Sequence, residues 1–107
     1  MSLHPAIQAY FDADKRSESG TPLHVFTRDA VVRDEGKSHA GYEAIDAWWR
    51  EVKAKYQAVA EPLELNAHAD AHAVRARVTG QFPGSPVTLS FAFRIEGEKI
   101  ASLEIGA

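Results

Sequence analysis

The sequence contains no cysteine. That excludes disulfides, thiolate catalysis and cysteine-held zinc. A reducing cytosol is the simplest compartment for such a chain, and a cytoplasmic protein is expected. Grouped positive charge is lacking too. Lys and Arg number 12 against 15 Asp and Glu, a formal net charge of −3. Nucleic acid is therefore not an expected partner, because phosphate neutralisation needs clustered basic side chains. An anionic membrane surface is disfavoured for the same reason. No apolar run approaches the ~20 residues that cross a bilayer. The opening Met-Ser-Leu-His-Pro lacks the charged and apolar blocks of a secretory leader. Internal repeats and low-complexity tracts are missing. So are a glycine-rich phosphate loop, a nucleophile elbow and a catalytic triad. No cofactor is expected.

What is there is an ordinary globular composition. The chain has 107 residues, 45% of them hydrophobic and 25% charged. One domain spanning residues 1–107 is expected. A domain of this size hides somewhat over ~60% of its unfolded surface, enough for one modest core.

The first half reads helical. Pro5 suits a first helical turn. Ile7, Tyr10, Phe11 and Asp14 then share one face. Lys15 to Ser19 is polar, and Gly20 is expected to stop the helix. Thr21 and Pro22 open a short second helix carrying Leu23, Val25 and Phe26. Asp29 to Asp34 reads as a strand, and Glu35-Gly36-Lys37-Ser38 as a turn. Gly41 precedes an amphipathic helix with Ile45, Trp48, Trp49, Val52 and Tyr56 on one face. Glu43, Asp46, Arg50 and Lys53 fall on the other.

From Leu63 the apolar period changes to two. Leu63, Leu65 and Ala67 form one alternating set. Val74, Ala76, Val78, Gly80 and Phe82 form the next, and Val87, Leu89, Phe91, Phe93 and Ile95 a third. Asp70, the Pro83-Gly84-Ser85-Pro86 segment and Gly97 mark turns. Lys99 to Ile105 is a last strand. Helices followed by hairpin-linked strands predict an α+β fold with a mostly antiparallel sheet. Its second face carries Arg75, Arg77, Thr79, Gln81, Ser90, Arg94 and Glu104. That face is either solvated or the contact surface of a homodimer.

Specific segments carry a resemblance. Asp29-Ala30-Val31-Val32-Arg33-Asp34-Glu35-Gly36, then Gly41-Tyr42-Glu43-Ala44-Ile45 and Trp48-Trp49, resembles the strand–turn–helix signature of SnoaL-like proteins. Gln81 to Pro86, Phe93-Arg94-Ile95 and Lys99 to Ile105 look like the closing strands of the same group. The resemblance covers nearly the whole chain. It implies the cone-shaped nuclear transport factor 2-like fold, with N-terminal helices packed in a strongly curved sheet around an apolar pocket. It leaves the activity open, because that superfamily holds isomerases, cyclases, hydrolases, dehydratases and non-catalytic proteins. Laid on ketosteroid isomerase, the resemblance implies Asp34 as the base ending the first strand. It implies Tyr10 as the oxyanion donor on the first helix. The second donor of that family is a carboxylic acid on a late strand. Phe91 stands there and cannot donate.

The candidate site residues follow. Asp34 is the expected base if Trp48, Trp49 and Phe91 surround it with apolar material that lifts its pKa. Val32 and Asp34 share one side of their strand, so a buried Val32 goes with an inward Asp34. The alternative is a solvated carboxylate before a turn. The Tyr10 hydroxyl either meets a ligand oxygen or Asp34, or is satisfied in the core. Asp14 is expected as a helix-surface charge, because buried Asp needs a partner; turned inward, it joins the ligand-binding set. Trp48 and Trp49 point about 100° apart, and at least one should face the sheet. They and Tyr56 supply an aromatic wall for a small apolar molecule. His39 lies in the loop after Asp34, near the pocket mouth. His68, Asp70 and His72 are the one metal-like cluster, with the two imidazoles able to face each other across a hairpin. A surface turn gives them no enclosure, and no metal is expected.

Overall fold

The architecture starts with a capped helix. His4 Nδ1 accepts the N–H of Ala6 at 3.0 Å, and Pro5 occupies the first turn, so α1 begins at Pro5. The computed structural model describes residues 1–16 and 20–107. Within them lie α1 (Pro5–Lys15), a 3-10 turn (Leu23–Val25), β1 (Phe26–Asp34), β2 (Lys37–Ala40) and α2 (Gly41–Tyr56). Then come β3 (Val59–His68), β4 (Ala71–Thr79), β5 (Val87–Glu96) and β6 (Lys99–Gly106). No helix among the described residues is long and apolar enough to cross a membrane.

Local physics explains most element ends. α1 buries Ile7, Tyr10, Phe11 and Asp14, the predicted face, and closes at Lys15 rather than running to Gly20. Ser17 to Ser19, part of the expected polar run, lie outside the described residues. α2 buries Ile45, Trp48 and Trp49 and ends where Gln57 turns left-handed, its N–H reaching the Lys53 carbonyl at 3.0 Å. The expected second helix is one 3-10 turn, and Phe26 already belongs to β1.

The six strands form one curved, unclosed sheet in the order β2-β1-β6-β5-β4-β3. β1 and β6 pair parallel; every other pair is antiparallel. Irregularities in register between Pro62 and Glu64, and between Arg94 and Ile95, bend the sheet. The first also turns Leu63 out of the expected alternation and leaves it exposed. Pro62 is tolerated because β3 is an edge strand.

Two expectations fail here. Glu35 to Ser38 is not one turn. Glu35 and Gly36 alone turn, both with positive φ, and Lys37 starts β2. His39 is therefore on a strand and not in a loop. The fourth strand also stops at Thr79, before Gly80 and Phe82. A Cβ on Gly80 would lie 2.7 Å from the Tyr56 carbonyl oxygen and 2.9 Å from Ala58 Cα, so glycine is required there.

The core lies between the concave sheet face and the two helices. Val74 and Ala76 of β4, Phe91, Phe93 and Ile95 of β5, and Ile100 and Leu103 of β6 point inward. They meet Ile7 and Phe11 of α1 and Ile45 of α2. Each fully buried side chain of this kind contributes roughly 1.5–3 kcal/mol. The outer face carries Arg75, Arg77, Arg94 and Glu104, all exposed. Arg75 approaches Glu64 at 3.6 Å and Arg77 approaches Glu61 at 3.5 Å.

Candidate active site

The helices do not fill the sheet. A cavity of about 360 Å³ remains, walled by apolar side chains such as Trp49, Val78, Leu89, Phe91 and Ile105. Six polar or charged residues reach its lining: Tyr10, Asp14, Asp34, Glu35, Lys53 and Tyr56. Which of them can engage a ligand depends on what each is already bonded to.

Asp14 and Lys53 are committed to each other. Lys53 Nζ donates to Asp14 Oδ1, to the Asp14 carbonyl at 2.8 Å and to the Ala58 carbonyl at 2.8 Å. An ammonium has three protons, so this one is saturated. Asp14 Oδ2 accepts the Ala60 N–H at 2.7 Å. The Lys53 ammonium also lies 5.1 Å from the centre of the Trp49 ring. Asp14 is thus no surface charge; it is 9% exposed. Lys53 likewise leaves the solvated face expected for it. Its spacing from Trp49 and Tyr56, i+4 and i−3, is the sequence signal that finds it.

Asp34 is held differently. It ends β1 half-buried, and Oδ2 accepts the Trp48 Nε1–H at 3.1 Å. Burial raises its pKa, and the Glu35 charge adds to the rise. The Trp48 hydrogen bond, the nearby His39 and the Glu35 peptide N–H pull partly the other way. No cation forms an ion pair with it among the described residues.

Tyr10 is 2% exposed, with its ring 5.6 Å from Trp49 and 5.5 Å from Phe93, edge to face. Burial, then the charges of Asp14 and Asp34, hold its pKa well above the ordinary phenol value. It stays a neutral donor, and its hydroxyl has no protein partner among the described hydrogen bonds. Trp49 Nε1 is buried without an acceptor.

At the rim, the Tyr56 hydroxyl donates to Glu35 Oε1 at 2.7 Å, and its ring meets Phe82 at 5.9 Å. Tyr56 therefore ties the β1–β2 turn to the end of α2 besides adding to the wall. Glu35 and Lys53 were not among the sequence candidates. Phe91 lies in the apolar wall, 6.4 Å from Tyr10 between ring centres. His39 does not line this cavity. Its ring sits 6.1 Å from Trp48, in a second hollow of about 100 Å³.

The hairpin histidines do not face each other. His68 pairs with Ala71 and His72 with Ala67, so the two point to opposite faces. His72 meets His4 instead, ring centres 6.1 Å apart. No group of three metal-ligating side chains gathers among the described residues.

Comparison with known proteins agrees with this architecture. The SnoaL-like domain model matches residues 7–103. A candidate polyketide cyclase from Sinorhizobium meliloti is 47% identical, with a TM-score of 0.92 over 96% of this chain and 94% of that one. A Catenulispora acidiphila protein of ketosteroid isomerase-like fold, solved with trimethylamine, superposes with a TM-score of 0.85 at 18% identity, covering 99% and 87%. A nuclear transport factor 2-like protein from Burkholderia pseudomallei gives 0.76 at 20% identity, covering 98% and 90%. No curated protein matches the chain. Helices cradled by a curved sheet, matched along nearly the whole length, make this chain a member of the SnoaL-like domain family with a nuclear transport factor 2-like fold.

Proposed function

We propose that the chain catalyses proton transfer on a small, uncharged, largely apolar carbonyl compound, with Asp34 as the base and Tyr10 as hydrogen-bond donor. One observation carries this reading. Among the polar groups lining the cavity, Asp34 forms no ion pair and the Tyr10 hydroxyl no hydrogen bond among the described residues, while Asp14 and Lys53 are committed to each other and Glu35 and Tyr56 are joined at the rim. The saturated ammonium of Lys53 favours a neutral ligand over an anion. A cavity near 360 Å³ suits a compound of drug-like size or smaller.

The steps balance without a cofactor. The Asp34 carboxylate removes a proton from the carbon beside the carbonyl. The electron pair moves onto oxygen, where the Tyr10 hydroxyl stabilises it. In a β,γ-unsaturated ketone, returning the proton from Asp34 to the γ carbon of the dienolate isomerises the compound. In a compound with a second carbonyl, attack of the enolate carbon closes a ring, and the proton held by Asp34 neutralises the new alkoxide. The name of the Sinorhizobium meliloti relative supports the second outcome. The test uses 2-tetralone in D₂O with exchange of its α-protons followed by NMR. The wild-type chain is expected to accelerate exchange and Asp34→Asn to abolish the gain. Equal exchange by the two would sink the proposal.

A second reading is a non-catalytic binding module for the same ligand class. Phe91 favours it, since an apolar wall replaces a second donor and leaves the oxygen one strong partner. We also propose that the outer sheet face pairs in a homodimer. Exposed Ala73 and Ala92 lie side by side there, flanked by Arg75, Arg94 and Glu104 of opposite charge. Light scattering at micromolar concentration decides this, and a monomer would refute it.

A further inference from the structure

Asp34 stands in a partition. The carboxylate and Trp48 line the main cavity on one side and the 100 Å³ hollow on the other. Strand register sets up the second side. Val32 pairs with His39 and Asp34 pairs with Lys37. Paired residues share a face, so His39 and Lys37 sit on the same side of the hairpin as Asp34, toward α2. α2 supplies Ala47, Trp48, Glu51 and Val52 to that hollow, and the turn supplies Glu35. Hence the charged groups facing His39 are Asp34, Glu35, Lys37 and Glu51.

An apolar ligand in the main cavity displaces water from the inner side of Asp34. A carboxyl that has just taken a proton there has no solvent with which to exchange it. The hollow is large enough for several waters, and Asp34, Glu35, Lys37, His39 and Glu51 supply it with polar groups beside the apolar Ala47, Trp48 and Val52. We propose that it is a proton exit, and that His39 passes protons between Asp34 and bulk solvent. The carboxyl proton moves through water in the hollow to an imidazole nitrogen, and the imidazolium releases a proton on its exposed side. Nothing is oxidised and no co-reactant is needed. A His is suited to this because its charge changes near neutral pH. The electrostatic influence of His39 on Asp34 agrees with their closeness.

The inference rests on Asp34 being the base, and its test separates the two. The first arm follows the Asp34 carboxyl carbon by NMR against pH, in wild type and in His39→Gln. Wild type is expected to show a second step tracking the His39 ring signals. His39→Gln is expected to lose it. The second arm measures the 2-tetralone reaction in D₂O. His39→Gln, and Ala47→Leu as a plug that leaves His39 intact, are expected to lower solvent deuterium uptake several-fold. Removed protons would then return to the ligand instead of exchanging. Unchanged Asp34 titration in His39→Gln, or unchanged deuterium uptake in both variants, overturns the exit. If Asp34→Asn still exchanges as wild type does, the base assignment falls instead, and the titration arm alone decides whether the hollow couples the two groups.

Discussion

Asp14 and Asp34 line one cavity, yet the protein binds them in opposite ways. Asp14 receives an ammonium and a peptide N–H, and its cation is itself saturated. Asp34 receives an indole N–H, forms no ion pair among the described residues, and is pushed by burial toward holding a proton. The difference comes from place. Asp14 sits where α1, α2 and β3 converge, so Lys53 and Ala60 can close on it. Asp34 ends a strand beside a two-residue turn, where one side stays open. A paired, saturated carboxylate holds structure; a half-buried one without a counter-ion is available for chemistry.

The largest expected effect breaks the comparison on its reactive side. Asp34→Asn keeps an acceptor for Trp48 and removes the base. It should lower the rate of ketone α-proton exchange about 10²–10⁴-fold, the usual contribution of a general base, while the melting temperature stays level or rises. Next comes the structural side. Lys53→Met leaves Asp14 buried and unpaired, and should cost about 3 kcal/mol in urea unfolding. Adding Asp14→Leu should recover part of that loss, since the stranded charge is gone. A double variant no more stable than Lys53→Met would show that the two groups act separately. Tyr10→Phe sharpens the contrast. Its hydroxyl has no protein partner among the described residues, so stability should change by no more than ~0.5 kcal/mol, whereas 2-tetralone affinity, read by calorimetry, should fall by about 1 kcal/mol.

The smallest effect is in pH. Folding raises the Asp34 pKa, so the folded chain holds that proton more tightly than the unfolded one. The stabilisation is fully present below the free-residue value near ~3.9. It is lost as pH rises through the raised folded value. Wild-type stability minus that of Asp34→Asn should therefore decline across this window and then level off. A difference that grows with pH contradicts the assignment of the shift to burial.

Much of this was legible in the sequence. α2, β4 and β5 carry strong apolar periods, and those periods hold because each element buries one face against the same core. β2 was hidden because Lys37 to Ala40 is a short edge strand with no alternating apolar set. The Asp14–Lys53 pair was hidden for another reason. Asp14 stood out on an apolar helix face, but its partner lies 39 positions away and only tertiary packing brings the two together. The opposed directions of His68 and His72 follow from a turn one residue different from the one expected. In a strand, that shift is enough to flip a side chain. Asp34 and Tyr10 were readable from the family resemblance. Their unspent bonding capacity was not, because it depends on what every neighbouring donor and acceptor is doing.

The position of β6 bears on how the chain assembles. Two hairpin-built pieces, β1–β2 and β3–β4–β5, can each form from near neighbours, but only β6 joins them, antiparallel to β5 and parallel to β1. The parallel joint brings together the most distant strands, so it is expected to be late and slow. Until it closes, the strand bearing Asp34 and the strands forming the apolar wall belong to separate pieces. A lesion in β6 would thus split the main cavity itself instead of fraying a border.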